Sequence, residues 1–290
     1  MAQTKHQIQT LLTTAGIRPL KRFGQHFLID GNLIRKLVVA AGIRSDDVVL
    51  EVGPGTGSLT QELLAVAGHV VAVEIDNTLQ AVCREVIGPG ERFTLIHTDV
   101  LESKNRIAPA VCRELAARQQ VLGGRIALVA NLPYQVATPL IINLLLGHDP
   151  VSPLCFTVQA EVADRFLAAP HTKDYGPLSV MTQALATTER VANVPPEAFW
   201  PVPEVDSAML RIDRREDAPI SPAVQNQLNR LVHGCFNHRR KMLRWSLRNL
   251  LNERQLTRAE QDGRWNLSLR PECIQVAQWV ALARFCATQD

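Results

Sequence analysis

Four short stretches combine residue types that packing alone does not require. The first is Glu51-Val52-Gly53-Pro54-Gly55-Thr56-Gly57. Alternating glycines let a turn tighten and let backbone N–H groups approach a ligand beside a helix start. A dinucleotide fingerprint would need Gly or Ala at the sixth place counted from Gly53, where Ser58 stands, so the spacing argues against a nicotinamide cofactor. Glu74 lies 21 residues beyond Gly53 at the end of an apolar run, and a carboxylate there can accept from both hydroxyls of a ribose. Asp99 follows a further run, Phe93–His97, where it can accept from an amino group. The fourth stretch, Asn131-Leu132-Pro133-Tyr134, ends the apolar run Ile126–Ala130. An Asn side-chain oxygen and the Leu132 carbonyl can together accept both N–H bonds of an aromatic amine. That draws its nitrogen toward tetrahedral geometry and frees the lone pair. Pro133 biases Leu132 toward extended backbone angles. Tyr134 offers a face for a base, a contact of about 1–3 kcal/mol. Chemistry at such a turn consists mostly of orienting two reactants.

These stretches need a scaffold that brings strand ends together. Short β-rich runs at Val48–Val52, Val70–Ile75, Phe93–His97, Ile126–Ala130 and Leu154–Gln159 alternate with helical patterns at Leu59–Val66, Leu79–Val86, Ile107–Ala117 and Pro139–Leu146. An amphipathic helix at 32–42 precedes them. Such alternation predicts a parallel sheet covered on both faces, with the acids, the glycines and Asn131 at its carboxyl edge. Thr187–Val194 and Ser207–Ile212 flank a Pro-rich bend, VPPEAFWPVPEV, and are expected to close the sheet as a hairpin. Beyond Asp213–Pro222 the pattern turns helical, with candidates at 222–234, 238–251 and 271–285. The expected division is therefore a catalytic domain over 1–212 and a helical domain over 213–290.

At 290 residues the length suits about two domains. No apolar run approaches the roughly 18 residues needed to span a bilayer, and the N-terminus lacks a signal-peptide layout. Both point to the cytoplasm. The six cysteines are scattered without CxxC pairs or histidines at a metal-ligand spacing, so neither a disulfide framework nor a metal site is expected. Charge is unevenly placed. Residues 211–290 hold 14 Lys/Arg against 8 Asp/Glu, whereas residues 1–210 hold 17 against 20. A basic C-terminal part fits a polyanionic partner, and within it NHRRKMLRWSLR, residues 237–248, carries five cations and no acid.

With these residues in hand, the glycine stretch resembles motif I of the S-adenosylmethionine-dependent methyltransferases. Asn-Leu-Pro-Tyr resembles motif IV of those that act on exocyclic amines. Over about residues 20–285 the chain is similar to the KsgA/RsmA-type small-subunit rRNA adenine dimethyltransferases. Lys21-Arg22-Phe23-Gly24-Gln25-His26-Phe27-Leu28 resembles that family's N-terminal motif, and Phe156-Thr157-Val158-Gln159-Ala160-Glu161-Val162 its fifth-strand motif. Phe199-Trp200-Pro201-Val202-Pro203 through Ala208 is similar to its F-x-P-x-P-x-V-x-S motif. Phe236 through Leu243 matches the start of its C-terminal basic segment, and Arg270-Pro271-Glu272 a later turn. The resemblance implies a Rossmann-like class I fold, α/β with a seven-stranded mostly parallel sheet and a small all-helical C-terminal domain.

It also implies transfer of methyl groups from S-adenosylmethionine to N6 of two adjacent adenines in the 3′-terminal hairpin loop of 16S rRNA, during small-subunit biogenesis, by a monomer. Catalytic roles fall to Asn131, Leu132, Pro133, Tyr134 and Phe199. Cofactor contacts fall to His26, Leu28, Glu51, Gly53, Gly55, Gly57, Glu74, Ile75, Asp99, Val100 and Asn131. RNA contacts fall to Lys21, Arg22, Arg239, Arg240, Lys241, Arg244 and Arg248. Three positions depart from the family's commoner pattern: Glu204 replaces Lys, Pro177 replaces Arg, and Trp200 replaces a small or polar residue. Two alternatives stand beside this reading. An Erm-type 23S rRNA methyltransferase would more typically carry S-Q-N-F where this chain has Gly24-Gln25-His26-Phe27. A non-catalytic RNA-binding factor on the same scaffold would have less need of an intact Gly53, Glu74, Asp99 and Asn131.

Overall fold

The computed structural model describes residues 3–16, 25–147, 151–215 and 220–288, which form two compact units, Met1–Ala163 with Glu189–Arg214, and Asp164–Thr188 with Arg215–Asp290. The partition is therefore not the linear one expected at 212/213. Residues 164–188 group with the C-terminal helices, because the hydroxyl of Tyr175 donates to the carbonyl of Ile274 at 2.8 Å and its ring packs edge-on against Phe236.

The first unit opens with α1 (Lys5–Thr14), β1 (Phe27–Leu28) and α2 (Gly31–Ala41), followed by β2 (Val48–Val52), α3 (Ser58–Leu64), β3 (His69–Glu74), α4 (Asn77–Ile87) and β4 (Phe93–His97). A small hairpin, β5 (Leu101–Ser103) and β6 (Arg106–Ile107), leads to α5 (Pro109–Leu122), β7 (Ile126–Asn131), α6 (Tyr134–Leu146), β8 (Val151–Gln159) and α7 (Ala160–Leu167). After α8 (Pro177–Leu185) the sheet is completed by β9 (Ala186–Val194) and β11 (Ser207–Arg214), with the two-residue β10 (Phe199–Trp200) between them. The strand order is β4-β3-β2-β7-β8-β11-β9. Pairing is parallel from β4 to β8, and β11 runs antiparallel to β8.

Strands β2 and β3 are buried along their whole length, as expected of apolar strands covered on both faces. Edge strand β9 is buried only at Ala186 and Val194 and exposes Thr187, Glu189 and Asn193, and a charge such as Glu189 on an edge strand discourages pairing with another chain. From β2 the chain winds one way through β3 and β4, then crosses back to β7 and β8. The switch point lies between β2 and β7, where an open α/β sheet leaves its ligand crevice.

Helix α1 had no counterpart in the sequence reading. Thr4 and Gln7 cap it reciprocally, and Ile8 and Leu12, spaced four apart, are buried with Phe27 and Leu79. Trp200, unexpected at its position, packs on the same cluster, its ring stacked 6.3 Å from Phe27. Helix α6 starts at Tyr134, five residues before the expected start, and carries Pro139 within it.

The second unit holds α9 (Pro222–Phe236), α10 (Leu243–Leu247), α11 (Glu253–Asp262) and α12 (Val276–Ala287) around Tyr175, Leu228, Leu231, Val232, Cys235 and Trp279. Pro177 is the first residue of α8, where its missing N–H costs nothing. The helix expected over 238–251 is only five residues long, with α11 following as a separate helix. The amides of Leu243 and Arg244 donate to the carbonyls of Leu269 and Leu267, fixing where that helix begins. No helix among the described residues is long and apolar enough to cross a membrane.

Candidate active site

Strand β2 ends at Val52, and the chain turns through Gly53, Gly55 and Gly57 at φ of 71°, 56° and 85°. These are left-handed angles that side chains resist. At Gly55 a Cβ would also stand 2.8 Å from the ring of Phe27, so this position needs glycine twice over. The turn is tied by Gly53 N–H donating to Val73 and Gly57 N–H to Pro54.

Glu74, at the tip of β3, is buried and accepts from Asp76 N–H at 2.9 Å and Gly55 N–H at 3.4 Å. Burial still pushes its carboxyl above the usual range, because those two donors only partly offset the loss of water. Glu51, inside β2, is more extreme. Burial raises it from 4.5 to about 8, against the lowering effect of Thr60, whose hydroxyl donates to it at 2.7 Å. Asp76 caps α4 and accepts from the Gln25 side chain at 3.1 Å.

Asn131 closes β7. Its amide nitrogen donates to the His26 carbonyl at 2.9 Å, and its side-chain oxygen accepts from the Thr157 hydroxyl at 2.5 Å. Thr157 is the register partner of Asn131 on β8 and is fully buried, so the amide has one fixed orientation. The side-chain oxygen keeps a second lone pair. The Leu132 carbonyl accepts no hydrogen bond among the described residues. The imidazole of His26 donates through Nδ1 to the Pro201 carbonyl at 2.7 Å and lies stacked 5.9 Å from Tyr134. The Tyr134 hydroxyl bonds Ser207 at 2.9 Å, which fixes the phenol ring between β11 and His26.

A cavity of about 70 Å³ is lined by Gln25, His26, Gly53, Glu74, Ile75, Asn131, Pro133, Tyr134 and Phe199 among others. A second, of about 40 Å³, is lined by Leu28, Glu51, Gly53, Thr56, Ser58 and Asn131. Phe27 lines both. The structure thus gathers most of the expected cofactor residues, together with Asn131, Leu132, Pro133, Tyr134 and Phe199, around two adjoining spaces. Phe199 pairs with Leu28 across β10 and β1 and is almost wholly buried. Gly57 lines neither cavity; a side chain there would press on Ile87 of α4. Asp99 and Val100 line neither: Asp99 is exposed and accepts from Leu101 N–H, and Val100 is buried. Thr157, Ser207 and Ser58 were not singled out from the sequence. The first two were visible only as members of quoted motifs, since pairing across strands decides their role. The Ser58 hydroxyl is buried and has no hydrogen-bond partner among the described residues.

The basic segment of the second unit divides. Arg239 forms an ion pair with Glu272 at 2.5 Å and donates to the carbonyls of Lys173 and Thr172. Arg244 pairs with Glu260 at 2.6 Å. These two cations therefore have partners within the chain, although RNA contacts are expected of all five. Arg240, Lys241 and Arg248 are exposed and carry no ion pair among the described residues. Lys21 and Arg22 lie outside the described residues.

Fold and site together define a Rossmann-like methyltransferase: a mostly parallel seven-stranded sheet, with a glycine turn, a buried acid tip and an Asn-Leu-Pro-Tyr turn meeting at its switch point. Residues 18–288 match the family described as ribosomal RNA adenine dimethylase. A relative from Lachnoclostridium phytofermentans, named ribosomal RNA small subunit methyltransferase A, is 38% identical over 91% of this chain and 90% of its own. One of the same name from Phenylobacterium zucineum is 39% identical over 97% and 93%. Among solved structures, the 23S rRNA methyltransferase ErmE is similar at a TM-score of 0.64 and 27% identity, covering 90% of this chain and 99% of its own. A dimethyladenosine transferase from Plasmodium falciparum shares the fold at a TM-score of 0.71 and 22% identity, over 89% and 96%. The chain belongs to the ribosomal RNA adenine dimethylase family and is a methyltransferase.

Proposed function

We infer that the protein transfers methyl groups from S-adenosylmethionine to N6 of two adjacent adenines in the 3′-terminal hairpin loop of 16S rRNA, acting as a cytoplasmic monomer during small-subunit biogenesis. The observation that carries this reading is Asn131. Its side-chain oxygen is oriented by Thr157, the unpaired Leu132 carbonyl follows it, and both residues line the space that holds Glu74.

The residues present fit the cofactor. Glu74 suits a ribose diol, exposed Ile75 a flat base, and the unpaired Ser58 hydroxyl with buried Glu51 a polar tail. Bound there, S-adenosylmethionine supplies an electrophilic methyl group on a sulfonium. The two spaces adjoin, and Phe27, which lines each, stands between the ribose and tail positions. Asn131 and Leu132 accept the two N–H bonds of the adenine amine, and Tyr134 supports its ring. Adenines in a loop reach such a turn at low cost, since they need little unstacking. The new N–C bond would form as the methyl–sulfur bond breaks and the neutral thioether leaves; the nitrogen would then shed one proton to water, so no general base is required of the chain. The neutral Asn131 avoids placing a carboxylate against the sulfonium.

Purified protein given labelled cofactor with small-subunit particles, large-subunit particles and naked RNA tests the assignment. Label on two adjacent adenines of the small subunit is expected. Label confined to the large subunit would establish the Erm-type alternative instead, and no transfer at all a non-catalytic factor. In single-turnover assays at saturating RNA and cofactor, Asn131→Ala should slow transfer by about a hundredfold, the scale of removing one positioned hydrogen-bonding group, with little change in RNA affinity. A near-normal rate would exclude the amine-activation role.

A further inference from the structure

We propose that Trp245 is a stacking platform for an unpaired base of the RNA substrate, working beside Arg240, Lys241 and Arg248 as phosphate contacts. The proposal rests on the rRNA-binding reading above and adds to it a non-electrostatic contact in the second unit. Helix α10 turns Leu243, Ser246 and Leu247 inward, all buried, and leaves Arg244, Trp245 and Arg248 outward. A tryptophan serving the core would occupy one of the inward positions. Trp245 is instead 40% exposed, whereas Trp265 and Trp279 are buried at 4% and 0%.

Its surroundings are those of a base-binding surface. The His238 ring meets it edge-on at 4.6 Å, restraining its orientation, and the Lys241 ammonium lies 5.9 Å from its centroid. Met242, 54% exposed, extends the apolar patch. Residues 237–248 contain no acid, and Arg240 and Arg248 hold no ion pair among the described residues. An exposed indole beside Arg240 and Arg248, which hold no ion pair among the described residues, suits single-stranded nucleic acid, where aromatic faces take bases and cations follow the backbone. It suits an acidic protein less well, because nothing in such a partner needs the aromatic face.

The test compares wild type, Trp245→Ala, Trp245→Phe and the double variant Arg240→Gln/Arg248→Gln for binding to a single-stranded adenine-containing oligoribonucleotide and to small ribosomal subunits across a salt series. Trp245→Ala should weaken both by about 5- to 160-fold, the range of one stacked base, with the slope of log K against log salt unchanged. Trp245→Phe should retain most of the affinity, which separates lost stacking from lost folding. The oligonucleotide should quench tryptophan fluorescence in wild type and less in Trp245→Phe. The double variant should lower the salt slope by about 0.7 per lost phosphate contact. Wild-type affinity in Trp245→Ala beside a lowered slope in the double variant would overturn stacking and leave the basic surface standing. No change in either would remove the RNA-contact reading of the segment itself. Weakened binding to subunits alone, without quenching by the oligonucleotide, would overturn the proposal in favour of a ribosomal protein contact.

Discussion

Asp47 and Glu51 lie four residues apart at the two ends of β2, both buried, and they face opposite fates. At the amino edge Asp47 receives the Arg125 guanidinium at 2.6 Å and 3.1 Å, and the amides of Arg44 and Arg125 at 2.9 Å and 3.0 Å. Burial alone would raise its carboxyl, but this fork and the two amides outweigh it and hold the group below the usual range. At the carboxyl edge Glu51 has one hydroxyl donor, no cation and a second acid, Glu74, nearby, so burial dominates and lifts it to about 8. Within five residues the same residue class is satisfied at the amino edge of the sheet. It is left short of partners at the carboxyl edge, where the cofactor site is proposed.

The widest test of that contrast is pH. A carboxyl raised from 4.5 to about 8 favours the folded state fully below its unfolded value, and that contribution is lost as pH rises toward 8. Each pH unit between those values is worth about 1.4 kcal/mol. Glu51→Gln keeps an acceptor for Thr60 without the ionisation. It should therefore be more stable than wild type by several kcal/mol at pH 9, with the gap closing toward pH 5. Parallel denaturation curves at both pH values would mean that Glu51 titrates normally and that the carboxyl edge is as well satisfied as the amino edge.

Asp47→Ala should act oppositely, costing about 3 kcal/mol in chemical denaturation at pH 7, because it strands the Arg44 and Arg125 amides and the guanidinium. Cofactor affinity should hold. A loss of cofactor binding comparable with the loss of stability would show the two edges to be coupled.

Glu74→Ala sharpens the functional side. It should weaken S-adenosylmethionine binding by about 1–3 kcal/mol, as two ribose hydroxyls lose their acceptor. Unchanged affinity by calorimetry would make Glu74 only an acceptor for the Gly55 and Asp76 amides.

The smallest effects repeat the contrast in the second unit. Arg239→Ala should lower thermal stability by about 1–2 kcal/mol, since it removes a half-exposed ion pair and two carbonyl contacts. It should leave the salt dependence of RNA binding nearly intact. Arg240→Ala should do the reverse, losing slope without stability. Equal behaviour of the two neighbours would dissolve the division of the basic segment.

The parts legible from sequence are those set by local chemistry. Unbroken apolar runs such as VVLEV specify strands buried on both faces, their alternation with helices specifies a parallel sheet, and glycines at 53, 55 and 57 specify a turn that only glycine tolerates. The Asn-Leu-Pro-Tyr turn stands out in the sequence because packing alone would not choose those residue types at the end of a core strand. What tertiary structure decided is which partner each polar group meets. Thr157 orients Asn131 because β7 and β8 pair in one register, which places residues 26 apart in contact. Helix α1 is polar along most of its length, and only the cluster of Phe27, Leu79 and Trp200 gives Ile8 and Leu12 something to bury against. Arg239 and Arg240 are adjacent and chemically identical, yet Glu272, 33 residues away, claims one and leaves the other to solvent. A side chain's type follows from the sequence. Whether its charge is neutralised, buried or left free depends on distant neighbours that only the folded chain brings within reach.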